Sequence, residues 1–323
     1  MKRVAVLTSG GDAPGMNAAI RAVVRGGASH GHAVLGVRHG YTGLIAGDFL
    51  PLDSRSVGGI LDRGGTMLGT TRCEELKTEG GLIKAIQKLR EHGVVGLIVI
   101  GGNGSQAGAY ALSQRDYPVV GVASTIDNDL FGSEPSIGST TALDIALEAI
   151  DRLRTTASAH KRVFLVETMG RNSGYLALMA AIAGGAEAVV LPELESTPES
   201  VAEEILDSYR RGKSHAIVVV AEGARLNAHS LAQHFRSHHQ ELGFELRVSI
   251  LGHIQRGGPP NAYDRLLATR LGAAAIEYLA SERHGILIGI QKGTISATPL
   301  SEVASRVKPI DLELTQLARM LAY

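Results

Sequence analysis

Short runs of β-branched and apolar residues alternate with longer helical patterns along most of the chain, and this alternation limits the fold more than any other feature. The runs are apolar on both faces, as strands of a parallel sheet buried between helices are. The pattern therefore predicts an α/β fold with mainly parallel sheets and helices on both faces. The predicted strands are Val4–Thr8, Ala33–Val37, Gly96–Ile100, Val119–Ala123, Val163–Glu167, Ala188–Leu191, Ala216–Ala221, Arg247–Leu251 and Ile286–Ile290.

Helical patterns lie between these runs. In the pattern over Thr140–Thr156, apolar residues recur at helical spacing and predict a buried stripe made of Leu143, Leu147, Ile150 and Leu153. A chain of 323 residues is long enough for two domains. Because no linker or repeat divides it, we expect the chain to cross between the domains more than once. The other predicted helices are Met16–Gly26, Tyr175–Ala183, Ser200–Arg210 and Ala262–Ala280.

The charge balance and the cysteine count exclude several classes of protein. Lys+Arg and Asp+Glu number 32 each, which argues against a protein that binds nucleic acid or a membrane surface. With Cys73 as the only cysteine, no disulfide forms within the chain. The first apolar run is too short for a signal peptide, and no segment approaches the ~18 apolar residues of a membrane span. We therefore expect a cytoplasmic protein.

Glycine and polar residues gather where the predicted strands end. Ligands of parallel α/β sheets bind beyond the carboxyl ends of the strands, so these segments form the candidate site. The 40 glycines make up roughly 12% of the chain against a typical ~7%, and they cluster at these ends. The segments after the strands are SGGDAPGMN (9–17), GGNGS (101–105), TIDND (125–129), MGRNSG (169–174) and GHIQRGG (252–258).

Two glycine-rich turns each lead into a predicted helix. Gly10-Gly11 precedes the first helix, and Gly101–Gly104 follows the third predicted strand. Free N–H groups and the positive end of the helix dipole make such a turn a phosphate site. A tight turn without a ligand is the structural alternative. Two such turns beside carboxylates and arginines favour phosphate binding.

Asp127 and Asp129 are separated by one residue directly after a buried strand. Phosphoryl transfer needs a group that accepts the proton of the attacking hydroxyl and groups that hold Mg²⁺. The two carboxylates could divide these roles. The structural alternative is a helix N-cap together with a surface carboxylate.

Four arginines lie at strand ends or on the loops that follow them: Arg162, Arg171, Arg247 and Arg256. A guanidinium grips phosphate through two parallel hydrogen bonds and stays charged, although a single arginine is more often solvated or in a salt bridge. Arg171 could neutralise a phosphoryl group in transfer. His253 could donate to a sugar phosphate and Glu222 could accept from sugar hydroxyls. Their alternatives are a structural histidine and a carboxylate at the rim.

Six motifs occur in a fixed order: LTSGGDAPGMNAAIR, GGNGS, TIDND, AIDRLR, ETMGRNSGYLA and LGHIQRGG. In this order they resemble the bacterial, ATP-dependent 6-phosphofructokinases over essentially the whole chain. The resemblance implies transfer from ATP to the 1-hydroxyl of fructose 6-phosphate, with Mg²⁺ as cofactor, in a homotetramer with shared active sites. It also implies two Rossmann-like three-layer αβα domains. Residues 1–138 and 254–304 would bind nucleotide, and residues 139–253 and 305–323 would bind the sugar phosphate.

The resemblance also assigns roles by position. Asp127 would be the general base, with Thr125 and Arg171 at the transferring phosphoryl group and Gly11 in both the catalytic and the nucleotide set. Mg²⁺ would be held by Asn103 and Asp129. The remaining nucleotide residues would be Tyr41, Arg72, Cys73, Gly102, Gly104 and Ser105. Besides Thr125, Asp127 and Arg171, the sugar-phosphate residues would be Met169, Gly170, Glu222, His253 and Arg256, with Arg162 and Arg247 from a neighbouring subunit.

Asn103 is the main departure from the family pattern, whose usual loop reads GGDGS. An amide oxygen can bind magnesium but brings no negative charge. We therefore expect weaker catalysis than in a typical member, or a Mg²⁺ ion that depends more on Asp129. The adenine pocket also differs, because Cys73 and Lys77 replace the common phenylalanine and arginine. In pyrophosphate-dependent relatives the loops resemble GGDDS and PKTIDND, whereas Gly104 and Ser124 favour a nucleoside triphosphate here.

A set of charged residues resembles the family's effector site for ADP and phosphoenolpyruvate. Arg21 and Arg25 share one helix face. The structural alternative is a solvated basic face without a ligand. Ser54 and Gly59 also depart from the family pattern, in which arginine and aspartate are common at these positions. The full predicted set is Arg21, Arg25, Arg55, Arg154, Glu187, Arg211 and Lys213. Two further functions stay open: a weak or inactive relative that serves as a regulatory subunit or phosphometabolite-binding protein, and an enzyme with another donor or sugar.

Overall fold

The computed structural model describes residues 2–238, 240 and 243–322. These residues form two compact units. Unit 1 takes in the described residues of Met1–Ile126, Leu130–Thr140 and Arg256–Lys308. Unit 2 takes in those of Asp127–Asp129, Thr141–Gln255 and Pro309–Tyr323. The chain therefore passes between the units five times, as the sequence predicts for interleaved domains.

The described residues contain eleven strands and eleven α-helices. Two short 3₁₀ helices cover Glu75–Lys77 and Gly252–Arg256. In chain order the elements are β1 (Arg3–Ser9), α1 (Met16–Ser29), β2 (Ala33–Val37), α2 (Gly40–Ala46), β3 (Phe49–Leu52), α3 (Glu79–Glu91), β4 (Val94–Gly101), α4 (Asn103–Ser113), β5 (Val119–Ala123), α5 (Ser139–His160), β6 (Val163–Thr168), α6 (Tyr175–Gly184), β7 (Ala188–Val190), α7 (Pro198–Arg210), β8 (Ala216–Ala221), α8 (Ala228–Ser237), β9 (Leu246–Ile250), α9 (Ala262–Ala280), β10 (Ile286–Gln291), β11 (Thr294–Pro299), α10 (Leu300–Ser305) and α11 (Leu312–Leu321).

Unit 1 is built on a seven-stranded sheet in the order β11-β10-β5-β4-β1-β2-β3. The five inner strands are parallel, and the edge strands β3 and β11 are antiparallel to their neighbours. The chain moves outward from β1 in one direction to β2 and in the other to β4 and β5. Because such crossovers are right-handed, α1 with α9 and α4 with α10 cover opposite faces. The direction reverses between β1 and β4, which is where a sheet of this kind binds its ligands.

Unit 2 is built on a four-stranded parallel sheet in the order β7-β8-β6-β9. Alternate residues of β6 enter separate apolar cores. Val163 and Leu165 pack with α7 and α8, whereas Phe164 and Val166 pack with α5 and α6. Both faces of the sheet are therefore buried, which explains why its strands read as continuous apolar runs.

The predicted α/β class is confirmed, and all nine predicted strands form, each within two residues at either end. The buried stripe of α5 is only partly as predicted. It runs through Ala142, Ala146, Ile150 and Ala157, while Leu143 and Leu153 lie at its margin and Leu147 lies outside this core. Small alanines let the helix approach the neighbouring apolar residues closely, so the large leucines do not mark the buried side. In the part of the chain that the structure describes, no helix has both the length and the apolarity that crossing a bilayer requires.

Candidate active site

The carboxyl ends of β1 and β4 approach each other closely in unit 1. A Cβ added at Gly101 would lie 2.5 Å from Ser105 Oγ and 2.6 Å from the Ser9 carbonyl oxygen, so only glycine fits there. The two glycine-rich turns therefore flank the point at which the sheet reverses direction. Backbone N–H groups at such a point are well placed for phosphate.

The turn after β4 leads directly into α4. Gly102 is the N-cap residue and provides no side chain, so the first N–H groups of the helix are not capped by it. Asn103 is half-buried as the first helical residue. Gly104 is exposed, and an added Cβ there would meet nothing within 4 Å. The start of α4 thus lacks a side-chain cap from Gly102 and has open space beside it, as an anion at this position would require.

Tyr41 is hydrogen-bonded to the first turn of α4. Its ring is buried, and its hydroxyl donates a hydrogen bond of 2.6 Å to the Ser105 carbonyl oxygen. Burial, and to a smaller degree the nearby Cys73, raises the pKa of Tyr41 far above its usual value, so the phenol stays neutral. The hydroxyl is therefore engaged with the backbone of the predicted nucleotide loop.

The segment that carries Arg72 and Cys73 is tied to the end of β1. Thr70 Oγ1 donates to the Gly10 carbonyl oxygen at 2.7 Å, and Asn17 Oδ1 accepts from the Met67 N–H at 2.7 Å. Arg72 is exposed and Cys73 is half-buried. The structure thus places this segment next to the first glycine-rich turn.

Arg256 also contacts the first glycine-rich turn. Its Nη1 donates to the Asp12 carbonyl oxygen at 3.0 Å, and its side chain is buried although it carries a charge. A Cβ on Gly11 would lie 2.3 Å from this Nη1.

Thr125 is a predicted site residue that follows the neighbouring strand β5, and it is buried. It accepts a hydrogen bond of 2.6 Å from Ser136 Oγ at its carbonyl oxygen.

Asp127 and Asp129 are not helix caps. Asp127 is only 6% exposed, and the next helix, α5, begins at Ser139. Asn128 between them adopts a left-handed backbone with φ 49°, which turns the chain sharply. The alternative of a helix cap with a surface carboxylate is therefore wrong for Asp127. A buried carboxylate is costly unless it has a task or a counter-charge.

The loop after β6 in unit 2 is anchored by Glu222, which directly follows β8. Glu222 Oε1 accepts from the Gly170 N–H at 3.3 Å and from the Arg171 N–H at 3.0 Å. Arg171 is exposed and has a left-handed backbone with φ 51°, unusual for a residue other than glycine. The two predicted substrate residues Gly170 and Arg171 are thus brought together with Glu222.

Two residues with a structural role in this loop carry no predicted role. Gln255 is fully buried, and its Oε1 accepts from the Met169 N–H at 2.7 Å. Gly223 lies so close to the loop that an added Cβ would be 1.5 Å from the Arg171 carbonyl oxygen. Gln255 stands two residues after His253, which is exposed on the 3₁₀ helix. In the sequence, the feature that pointed to Gln255 was its position as a polar residue inside the GHIQRGG motif.

Arg162 and Arg247 lie at the amino ends of β6 and β9, which is the opposite end of the unit 2 sheet from Arg171. Arg162 precedes the first residue of β6, and Arg247 pairs with Phe164. Arg162 forms a salt bridge with Glu245, and Arg247 lies 3.6 Å from the same carboxylate. The hydrogen bond from Arg162 lowers the pKa of Glu245. Five or six strand residues, about 20 Å, separate these arginines from Arg171.

The predicted effector residues are divided between the two units. In unit 1, Arg21 and Arg25 lie one turn apart on α1, and Arg55 is exposed. In unit 2, the buried Glu187 accepts from Lys213 Nζ at 3.1 Å. Further contacts complete the unit 2 group: Lys213 Nζ and Arg211 Nη2 donate to the Ala322 carbonyl oxygen at 3.1 and 3.2 Å, and Arg154 Nη2 donates to the Gly185 carbonyl oxygen at 3.2 Å.

The sequence is similar to one family of known proteins over most of its length. A family model described as phosphofructokinase matches residues 3–279. The chain is 49% identical to the ATP-dependent 6-phosphofructokinase of Thermotoga neapolitana over 323 residues, covering 100% of both chains. It is 51% identical to ATP-dependent 6-phosphofructokinase 1 of Thermus thermophilus over 324 aligned residues, again covering 100% of both.

Solved structures give the same result for the fold. Phosphofructokinase from Saccharomyces cerevisiae superposes with a TM-score of 0.86 at 35% identity, covering 99% of this chain and 47% of the yeast chain. A pyrophosphate-dependent phosphofructokinase from Marinobacter aquaeolei superposes with a TM-score of 0.86 at 25% identity, covering 97% and 86% of the two chains. A relative named as pyrophosphate-dependent thus shares the fold, and the donor has to be argued from individual residues.

Proposed function

The chain belongs to the phosphofructokinase family, and we propose that it transfers a phosphoryl group from ATP to the 1-hydroxyl of fructose 6-phosphate. The products are ADP and fructose 1,6-bisphosphate, in a committing step of glycolysis. The observation that carries this proposal is the identity of about half to ATP-dependent enzymes over the full length of both chains. Nothing in these comparisons favours the alternative of an inactive relative.

The choice of ATP as donor is supported by two positions. Gly104 is open and exposed beside the start of α4, so a nucleotide's α-phosphate has room there. Ser124 is completely buried, and a lysine in its place would carry a charge into the interior. Pyrophosphate-dependent relatives resemble sequences with an aspartate and a lysine at these two positions. This chain therefore has the side chains expected of a nucleotide user.

A divalent metal ion is generally required by kinases of this family, and we propose Mg²⁺. Among the described residues, no group of three or more His, Cys, Asp or Glu side chains is placed to hold a metal. Mg²⁺ suits such a site because it is usually bound through one or two protein oxygens together with substrate phosphates and water. Asn103 and Asp129 would supply the protein oxygens. The bound ion would neutralise charge on the phosphates.

The chain's own residues have separate tasks in the proposed transfer. Asp127 accepts the proton of the sugar 1-hydroxyl as that oxygen attacks the terminal phosphorus of ATP. The N–H groups of the turns at Gly11 and Gly102 hold the donor phosphates. Arg171 and Thr125 stabilise the negative charge on the phosphoryl group during transfer. The oxygen of ADP leaves, and the proton stays on Asp127 until solvent takes it up.

The sugar phosphate would be held by residues of more than one subunit. Met169, Gly170, Glu222, His253 and Arg256 bind it within one chain in this proposal. Arg162 and Arg247 lie at the opposite end of the sheet from Arg171, which supports their service to the site of a neighbouring subunit. The proposal therefore requires an oligomer, and a homotetramer is the form expected.

An anionic effector such as ADP or phosphoenolpyruvate is proposed for the predicted set of basic residues. Arg211 and Lys213 both donate to the Ala322 carbonyl oxygen, and Lys213 also donates to the buried Glu187. Arg154 donates to the carbonyl oxygen of Gly185, two residues before Glu187, which supports one binding area on unit 2. Ser54 and Gly59 shift the preference between the two effectors. Calorimetric titration that finds neither ligand bound would remove this part of the proposal.

A parallel assay with several donors tests the proposed function. The purified protein is incubated with fructose 6-phosphate, Mg²⁺ and either ATP, GTP or pyrophosphate, and fructose 1,6-bisphosphate is measured. We expect turnover with ATP and none with pyrophosphate. Turnover with pyrophosphate alone would indicate another donor. Binding of fructose 6-phosphate without turnover would indicate the inactive relative.

A further inference from the structure

Arg171 holds a backbone conformation that it would not adopt on its own. Its φ of 51° lies in the left-handed region, where a side chain with a Cβ is strained. Such a conformation persists only when the surrounding structure fixes it, and it is common at functional sites. Its side chain is exposed, so packing of the guanidinium does not account for the strain.

Two consecutive residues after β8 provide that support. Glu222 Oε1 accepts hydrogen bonds from the N–H groups of Gly170 and Arg171, at 3.3 and 3.0 Å. Glu222 is itself fixed, because its own N–H donates to the Thr168 carbonyl oxygen at 2.9 Å. The carboxylate therefore joins the end of β6 to the end of β8 across the parallel pair of strands.

Gly223 provides the space for this arrangement. A Cβ at residue 223 would lie 1.5 Å from the Arg171 carbonyl oxygen and 2.6 Å from its carbonyl carbon. These are backbone atoms, so the clash cannot be relieved by rotating a side chain. Any larger residue at this position would push the Arg171 peptide away from Glu222.

We propose that Glu222 and Gly223 are positioning residues that fix the backbone of Arg171 and thereby aim its guanidinium at the transferring phosphoryl group. Glu222 then has two tasks, because Oε1 holds the loop while Oε2, which has no hydrogen-bond partner among the described residues, remains available for the sugar. This inference rests on the proposed function, in which Arg171 contacts the phosphoryl group. A residue that only bound the sugar would not control Arg171.

Three variants separate positioning from sugar binding. Glu222→Gln keeps an oxygen that can accept both N–H groups, Glu222→Ala removes it, and Gly223→Ala leaves the carboxylate in place but displaces the loop. We expect Glu222→Ala and Gly223→Ala to lower kcat by about tenfold or more. Glu222→Gln should keep kcat within about threefold and mainly raise KM for the sugar phosphate. Gly80→Ala is the matched control, because an added Cβ at Gly80 meets nothing within 4 Å.

Hydrogen–deuterium exchange provides a readout that does not depend on activity. The peptide containing Gly170 and Arg171 should exchange faster in Glu222→Ala and Gly223→Ala than in the wild type. In Glu222→Gln its exchange rate should be the same as in the wild type. Equal losses of kcat in Glu222→Gln and Glu222→Ala, or unchanged exchange in Gly223→Ala, would overturn the inference. If Gly223→Ala does not fold, the two Glu222 variants decide. A wild type that does not phosphorylate the sugar would refute the proposed function, while the exchange comparison would still test the loop.

Discussion

The guanidinium of Arg256 occupies the space that a side chain at residue 11 would need. A Cβ on Gly11 would lie 2.3 Å from Arg256 Nη1, which also donates to the Asp12 carbonyl oxygen at 3.0 Å. The arginine is 9% exposed, so its charge is largely removed from water and directed at the first glycine-rich turn. A residue proposed for the sugar phosphate and a residue proposed for the nucleotide are thus in direct contact within unit 1.

Gly11→Ala should impair catalysis without unfolding the protein. The clashing atom is the end of a long side chain, so Arg256 can move aside, but its hydrogen bond to the turn is then lost. We expect kcat/KM for fructose 6-phosphate to fall about tenfold or more, the effect of losing a charge-assisted hydrogen bond. Steady-state kinetics with Gly80→Ala as control would check this. Unchanged kinetics together with a displaced Arg256 would show that its position is unimportant.

Asn103→Asp should strengthen the use of Mg²⁺. A carboxylate close to the ion adds a favourable interaction of several kcal/mol at an effective dielectric of about 20, part of which is offset by desolvation. We expect the Mg²⁺ concentration needed for half-maximal rate to fall by about tenfold and kcat/KM for ATP to rise. Asn103→Ala, which removes the oxygen, should change both in the other direction. An unchanged kcat/KM in Asn103→Asp would refute a metal role for this position.

Gly104→Asp should weaken ATP binding while leaving the fold intact. The position is exposed and has open space around it, so the new side chain meets no protein atom. Its charge would repel the phosphates of ATP, and we expect KM for ATP to rise by about tenfold or more with an unchanged Tm. Gly104→Asn, which has nearly the same volume, should raise KM less. Equal effects of the two variants would mean that volume, and not charge, selects the donor.

Glu204 should make the folded state less stable at neutral pH. Burial raises the pKa of this carboxyl above its usual 4.5, against a smaller opposing effect of Arg319. The folded state therefore binds the proton more tightly than the unfolded state, and stability falls as the pH rises through the folded pKa. Because Glu204 is nevertheless exposed on α7 and water screens its charge, Glu204→Gln should raise Tm at pH 7 only slightly, about 1 °C. The gain should disappear below about pH 4.5.

Glu203, the preceding residue of α7 and likewise exposed, supplies the control for this measurement. Glu203→Gln should leave Tm unchanged across the same pH range, as measured by thermal unfolding followed by circular dichroism. A lower Tm for Glu204→Gln at pH 7 would show that the charged carboxylate is stabilised by its surroundings, contrary to the expected sign.

The parallel core of the fold could be predicted from the sequence because its strands are buried on both faces. The sequence does not predict β3 and β11, because both are antiparallel edge strands that contain a proline, Pro51 or Pro299, and β3 is only four residues long. The formation of an edge strand depends on pairing with its neighbouring strand more than on its own residues. Such dependence on tertiary context leaves almost no trace in a single sequence.

The candidate site was predictable in part for a similar reason. The glycine-rich turns and TIDND follow strands, so their place at the sheet ends follows from topology alone. The dual contact of Glu222 Oε1 and the left-handed backbone of Arg171 arise from a close approach between two strand ends, which no local pattern reveals. The sequence also does not show that Tyr41 donates its hydroxyl to the backbone of the nucleotide loop.

Asp127→Asn tests the proposed mechanism most directly, because this buried carboxylate is the group proposed to accept the proton of the attacking hydroxyl. The variant keeps the size of the side chain and removes its basicity. We predict that kcat for ATP-dependent phosphorylation of fructose 6-phosphate falls by about 10²–10⁴-fold, while KM for both substrates stays within a few-fold. A variant that retains kcat within about tenfold of the wild type would contradict the assignment of Asp127 as the general base.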